Sequence, residues 1–255
     1  MRAFFGIVVV LIVGVAVVSY TAAHRSGSIS ESVSTTEVEF ELFDDINVAV
    51  PSRFGDLETW RRPVGPPRVG LQVGHWKREE LPDELKRLRE RGGGASGGGK
   101  AEWEINLAIA EETKEFLEAK GVIVDILPST IPPAYWADVF IAIHADGNVN
   151  SEVSGFKVAA PHRDLTGRAG SLVDTLEAEY ARSTGLRLDF NVTRNMRGYY
   201  AFNWRRYEHA VHPMTVAAIL ETGFLTSPVD QRVIVAQPRI AARGIADAVL
   251  KFLDV

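Results

Sequence analysis

From about Arg68 onward the chain alternates short apolar, often β-branched runs with long amphipathic stretches, and this alternation constrains its fold more than any other feature. Val69-Gly-Leu-Gln-Val73, Val122 to Leu127, Val139 to Ile143 and Ala217 to Leu220 have the length and character of strands, and the middle two suit strands buried on both faces. Glu102 to Lys120, Ser171 to Arg182 and Ile240 to Leu253 are predicted helices. In the first of them Ile105, Ile109 and Phe116 make an apolar stripe between charged residues, and Gly121 stands where the helix should stop. Strands alternating with helices predict an α/β fold, here a single three-layer domain whose mostly parallel or mixed sheet is flanked by helices. With 255 residues, 46% hydrophobic and 24% charged, there is enough chain for one large domain.

That domain is expected at 68–255, preceded by two segments of different character. From Ala3 to Val18 every residue is apolar, longer than the h-region of a signal peptide at about 7 to 15 residues and extended by Ser19 to Ala23 toward the ~20 residues of a membrane span. Residues 1–25 are therefore expected to be a hydrophobic helix serving as membrane anchor or signal segment. Length favours the uncleaved anchor, and the small residues Thr21 and Ala23 leave cleavage open. Either outcome exports the remainder to an extracytoplasmic, cell-envelope location. Residues 26–67 run from Ser/Thr-rich to acidic to proline-broken, the pattern of a linker or stalk, although Val38, Phe40 and Leu42 alternate with glutamates as a short docked strand would.

Charge and cysteine usage exclude several function classes. Against 28 Lys+Arg stand 33 Asp+Glu, a formal charge of -5 that disfavours nucleic acid as a partner. Without cysteine there is no disulfide, thiolate-metal site or catalytic thiol, so any metal must sit on His, Asp or Glu. Oligomeric state is left open.

Open α/β sheets gather their chemistry beyond the carboxyl ends of the strands. His75 follows the first strand, His144 follows Val139-Phe-Ile-Ala-Ile143, and Glu221 follows Ala217-Ala-Ile-Leu220, while Glu102 opens the long helix after a glycine-rich loop. Two imidazoles and one carboxylate form a tripod used for catalytic zinc, with the remaining glutamate available as general base. Each residue also has a plainer role open to it. A strand-end histidine can be a satisfied structural group, a first-turn glutamate is favoured by the helix dipole, and Glu221 can pair with an arginine. Spacing alone does not bring positions 75, 102, 144 and 221 together.

Four segments, in order, resemble one family. These are Gly74-His75; Glu102-Trp-Glu-Ile-Asn106-Leu107; Ala137-Asp138-Val-Phe-Ile-Ala-Ile143-His144-Ala145-Asp146; and Ile219-Leu220-Glu221-Thr222-Gly223-Phe224-Leu225 with Pro213 before and Asp230 after. Over about Val69 to Leu253 the chain is similar to the zinc-dependent N-acetylmuramoyl-L-alanine amidases of bacterial cell-wall metabolism, the amidase type 3 family. The resemblance implies zinc on His75, Glu102 and His144, Glu221 as the catalytic glutamate, and peptidoglycan as substrate, cleaved at the amide joining N-acetylmuramic acid to L-alanine. Departures are local. The family's aspartate-proline-glycine-histidine-glycine-glycine becomes Gln72-Val73-Gly74-His75-Trp76-Lys77, so the flanking turn must differ. Leu127-Pro128-Ser129 leads quickly into the next strand, implying a shorter groove wall, and Asp146 replaces an asparagine, either as an orienter of His144 or as a loop acid. Two alternatives follow: a wall-binding or regulatory protein that retains the fold without catalysis, or the same zinc chemistry aimed at another amide.

Other signals are weaker. Gly94-Ala-Ser-Gly-Gly-Gly99-Lys100-Ala101 nearly spells a phosphate loop, but Ala101 stands where Ser or Thr would hold magnesium, and Leu85 to Arg91 before it is a charged helix rather than a strand. The glycines suit a mobile loop beside Glu102 or a mere connection. Asn191-Val-Thr193 is a low-specificity glycosylation pattern. His162, His209 and His212 are alternative ligands without strand context, Lys86, Arg87, Arg89 and Arg91 suit a solvated helix face, and Trp76, Trp103, Trp136 and Trp204 suit either the core or a sugar-stacking platform.

Overall fold

A computed structural model describes residues 50–90 and 92–255. The expected N-terminal hydrophobic helix, the first part of the linker and the strand expected around Val38 lie outside the described residues. Among the described residues no helix is long and apolar enough to cross a membrane.

In chain order the elements are β1 (Arg68–Val73), α1 (Lys86–Glu90), β2 (Ser96–Gly97), β3 (Lys100–Ala101), α2 (Glu102–Glu118), β4 (Ile123–Leu127), β5 (Val139–Asp146), β6 (Lys157–Ala159), α3 (Ala169–Thr184), α4 (Arg194–Arg197), β7 (Val216–Phe224), α5 (Pro228–Ile234) and α6 (Pro238–Leu253). Five strands form one sheet in the order β4-β1-β5-β7-β6, parallel except that β6 runs antiparallel on the edge beside β7. The mixed sheet is as expected, but β6 itself was not. Three residues are too few to show a period, and an edge strand borrows its stability from its neighbour.

Side chains alternate across the pleat, which splits the core in two. Val69, Leu71, Val73, Ile141, Ile143, Ala218 and Leu220 point to the face covered by α2, α3 and α6. Phe140, Ala142, Ala217 and Ile219 point to the other face, covered by Leu81, Leu85, Ile131, Met196, Tyr200 and Phe202 from short helices and irregular segments. The central strand β5 is buried at every position from Val139 to Ala145, which is why its sequence is a continuous apolar run up to the histidine.

Helix ends follow local chemistry. Glu104 accepts a hydrogen bond from the Ala101 amide at 2.8 Å at the start of α2. Gly185 takes the left-handed conformation, with φ 69°, after α3. Ser227 caps α5 and Pro228 occupies its first turn, while Pro238 does so for α6.

Residues 50–67, expected within the linker, lie against the body of the domain. Phe54 is buried edge-on against Trp204 at 5.8 Å and His212 at 5.3 Å, and the Arg53 guanidinium donates to the carbonyls of Trp204 and Tyr207. Nearer the sheet, Arg62 pairs with Asp138, whose other oxygen accepts from the Arg68 amide at 2.8 Å. These partners come from 70 or more residues away, out of reach of any local pattern.

Candidate metal centre

The carboxyl ends of β1, β5 and β7 sit side by side, and each hands one side chain to the same place. Register pairs Gln72 with Ala142 and Val73 with Ile143, so His75 emerges beside His144; His144 is directly opposite Glu221 across β5 and β7. Glu102 arrives as the first residue of α2. The His75 and His144 rings stand edge to face with centroids 5.1 Å apart. One ligand atom each from His75, Glu102 and His144 lies within 4.8 Å of the others. An open hollow of about 400 Å³ is lined by these three, Glu221, Ala95, Ala145, Asp146 and Gly147.

Glu102 is the hub. Its Oε1 accepts from the Ala145 amide at 3.1 Å and from Asn106 at 3.3 Å, and lies 3.0 Å from Nδ1 of His144. Its Oε2 accepts from the Ala95 amide at 2.8 Å and lies 3.5 Å from Nε2 of His75. Burial alone would keep this carboxyl protonated. The hydrogen bond and charge of His144, the charge of His75 and the Ala95 amide outweigh it and hold the pKa at about 2. Burial opposes the cation of His144 too, but the Glu102 hydrogen bond, with the charges of Glu102, Glu221 and Asp146, raises it above the ordinary histidine value. His75 has only a coulombic pull from Glu102 against its own burial and is lowered to about 4, so its imidazole is neutral at pH 7 with a lone pair to offer. Glu221 is pushed up to about 8, first by burial and further by the charges of Glu102 and Asp146, while His144 and Lys157 pull the other way.

Two glycines make the close approach possible. A Cβ on Gly74 would stand 2.5 Å from the His144 ring. Gly94, at φ +83°, would place one 2.2 Å from Oε2 of Glu102. The turn that departs from the family pattern is left-handed at two non-glycine positions, His75 with φ 63° and Lys77 with φ 54°. That conformation costs an L residue about 1–2 kcal/mol, so the turn stores strain beside the site.

Several expectations meet their outcome here. The glycine-rich loop is neither a phosphate loop nor a bare connection: β2 and β3 form a small antiparallel ribbon, and its Ala95 clamps Glu102 from both backbone groups. Asp146 makes no bond to His144; it accepts from Lys157 at 2.5 Å and from the Gly147 amide. His209 pairs with Glu84 at 2.7 Å, and His212 is buried beneath Phe54 and Trp60. Neither they nor His162 line the hollow, and no tryptophan does: Trp204 is core, Trp60 and Trp136 meet at a tilt with centroids 6.0 Å apart, Trp103 is exposed on α2, and Trp76 packs beneath the Lys77 ammonium. Asn106 and Lys157 were not foreseen as site residues. Asn106 was legible as the position one turn after Glu102, whereas nothing local marked Lys157.

Two nitrogens and a carboxylate oxygen converging on an accessible hollow are a donor set suited to zinc. Solved structures of the same fold include the amidase AmiC2 of Nostoc punctiforme (19% identity over 76% of this chain and 100% of that one, TM-score 0.51) and the amidase Ami1 of Mycobacterium smegmatis (16%, 74% and 97%, TM-score 0.52). A third is the CwlD amidase of Clostridioides difficile, solved with the GerS lipoprotein (15%, 74% and 98%, TM-score 0.51). Among curated protein sequences none matches the chain. Residues 69–251 match the amidase type 3 family, described as N-acetylmuramoyl-L-alanine amidase, and span every element that builds the hollow. By that match the chain belongs to the N-acetylmuramoyl-L-alanine amidase family and to its enzyme class.

Proposed function

We propose that this chain is a zinc-dependent peptidoglycan hydrolase that cleaves the amide between the lactyl group of N-acetylmuramic acid and L-alanine. In this reading it acts outside the cytoplasm, held at the membrane by residues 1–25, with His75, Glu102 and His144 as zinc ligands and Glu221 as the catalytic glutamate. The observation that carries the reading is the convergence of His75 and His144, from adjacent strand ends, with Glu102 at the start of α2, and Glu221 in register opposite His144. When bound, zinc supplies Lewis acidity toward the scissile carbonyl and toward water.

The chain's own residues do the rest. Ala95, Asn106 and the Ala145 amide hold the Glu102 carboxylate ionised and in one orientation. His144 gives up its Nδ1 proton as the site loads. Glu221 handles the proton of the reaction: a carboxylate oxygen takes it from the attacking water and delivers it to the departing amine nitrogen. Its raised pKa suits the delivery, and a bound cation would draw that pKa down toward the value the uptake needs. Lys157, register partner of Glu221 on β6, is held by Asp146 at 2.5 Å and by Asp189 at 3.5 Å, so its ammonium stays against Asp146, which lines the hollow.

Glu221→Gln should keep stoichiometric zinc and lose turnover by at least about 10²-fold, the lower range for a general acid–base group. Muropeptide release by the purified variant, followed by mass spectrometry of the fragments, is the check. Release at the parent rate removes Glu221 from its role, and fragments cut elsewhere in the stem peptide redirect the chemistry to another amide.

A further inference from the structure

A run of buried polar side chains behind His144 plays no part in the chemistry above. Nε2 of His144, the nitrogen turned away from Glu102, lies 3.2 Å from the Tyr199 hydroxyl, and the two rings meet edge to face at 5.3 Å. The Tyr199 and Tyr200 rings are 4.8 Å apart. Tyr200 in turn reaches the Ser129 carbonyl. Gln72, fully buried on β1, donates to that carbonyl at 3.1 Å and to the Tyr200 oxygen at 2.5 Å.

The Tyr200 proton is placed by the far end of this run and the His144 proton by its near end. A carbonyl only accepts, so the two oxygens of Tyr200 and Ser129 can sit together only with the Tyr200 proton between them. Gln72 must present its NH2 rather than its carbonyl, because an amide oxygen facing Ser129 would repel it. Tyr200 has then spent its proton, so any hydrogen between the two hydroxyls is that of Tyr199. His144 turns Nδ1 to Glu102 at 3.0 Å and Nε2 to the Tyr199 oxygen at 3.2 Å. A neutral imidazole that offers a lone pair from Nδ1 carries its hydrogen on Nε2, facing that oxygen.

We infer that Tyr199 and, behind it, Tyr200 are positioning residues that fix the proton on Nε2 of His144 and so reserve Nδ1, the nitrogen facing Glu102, as the atom that presents a lone pair to the ion. The inference rests on the assignment of His75, Glu102 and His144 as a zinc site. A ligating histidine is oriented by the partner of its other nitrogen, and loss of such a partner costs about 10–100-fold in metal affinity. In this chain the partner is a tyrosine packed edge to face on the imidazole.

The test uses the full chain labelled with ¹⁵N-histidine, titrated with zinc. In the parent, His144 should ligate through Nδ1 and show a protonated Nε2 whose hydrogen exchanges slowly with water. Tyr199→Phe keeps the ring packed against His144 and should speed that exchange and weaken zinc binding about 10-fold or more. Tyr200→Phe leaves Tyr199 free to turn its hydrogen toward His144 and should weaken zinc by a smaller factor. Ligation through Nε2, or a folded Tyr199→Phe chain with unchanged exchange and zinc affinity, overturns the inference while leaving the zinc site standing. A parent chain that takes up no zinc overturns both.

Discussion

The two imidazoles of the site are the same group in opposite settings. His144 stands near the carboxyl end of an eight-residue central strand, is buried, and has partners on both ring nitrogens, Glu102 at 3.0 Å and Tyr199 at 3.2 Å. His75 sits on a strained turn with φ 63°, its side chain 26% exposed, facing Glu102 at 3.5 Å. One half of the centre is thus built into the sheet and the other is hung from a loop. In the proposed zinc reading, the difference pairs a donor held by the sheet with one carried on a turn.

The largest effect should come from exchanging the two halves by deletion. His144→Ala should abolish zinc binding and also lower the stability of the metal-free chain by about 2–3 kcal/mol, because it leaves Glu102 buried with a lost charged partner. His75→Ala should abolish zinc binding with less than about 1 kcal/mol of metal-free destabilisation, since its interactions are few. Urea unfolding in chelator reads both, and equal losses would erase the distinction between a built-in and a hung ligand.

Gly94→Ala tests the clamp that joins the halves. A methyl 2.2 Å from Oε2 of Glu102, on a backbone at φ +83°, must push the carboxylate away from Ala95. Metal-free stability should fall by about 1–3 kcal/mol and zinc affinity with it, measured by unfolding and by competition with a chelating dye. A neutral result would mean that the ribbon yields freely.

Acid should act on the two imidazoles with opposite signs. His75 has its folded pKa lowered to about 4 from 6.5, so the unfolded chain binds more protons between those values and stability is lost as pH falls through them. The folded value of His144 is raised, so its contribution is fully present below 6.5 and is lost as pH rises through the folded pKa. In chelator, the parent should therefore lose stability relative to His75→Ala on going from pH 6.5 to 4. Unfolding midpoints across that range decide it, and parallel curves would mean that His75 is as readily charged in the fold as outside it.

The smallest effect concerns the strain of the hung half. Lys77→Gly relieves a left-handed φ of 54° and should stabilise the chain by about 0.5 kcal/mol, the relief being partly offset by the greater freedom of glycine when unfolded. A shift in thermal midpoint of the metal-free protein is the measure. Destabilisation would show that the Lys77 ammonium, 5.2 Å from the Trp76 ring, holds the turn more firmly than its backbone opposes it.

Legibility along the chain follows the same division. The strand ending in His144 was plain from its run of buried residues, and the helix opened by Glu102 from its stripe, because each carries a period or a run that solvent and core impose locally. The turn at His75 was recognisable as altered but its geometry was not. Left-handed backbone at His75 and Lys77 has no sequence mark of the kind a glycine provides. The glycine-rich stretch was visible as glycines, yet its purpose, making room for Glu102, appears only once Oε2 stands beside Gly94. Tyr199, Lys157 and Phe54 had no local signal at all, since each gains its meaning from a partner far along the chain.

By itself the sequence determined the alternation of strands and helices, the absence of thiol chemistry and the placing of histidine and glutamate at strand and helix ends. These depend on side-chain type and near-neighbour spacing, which the chain carries wherever it goes. Tertiary structure alone decided that β1, β5 and β7 end side by side, that residues 50–67 fold back onto the domain and that Tyr199 faces Nε2 of His144. Those outcomes depend on which surfaces exclude water together and on which buried polar groups must find partners, and both are properties of the packed whole.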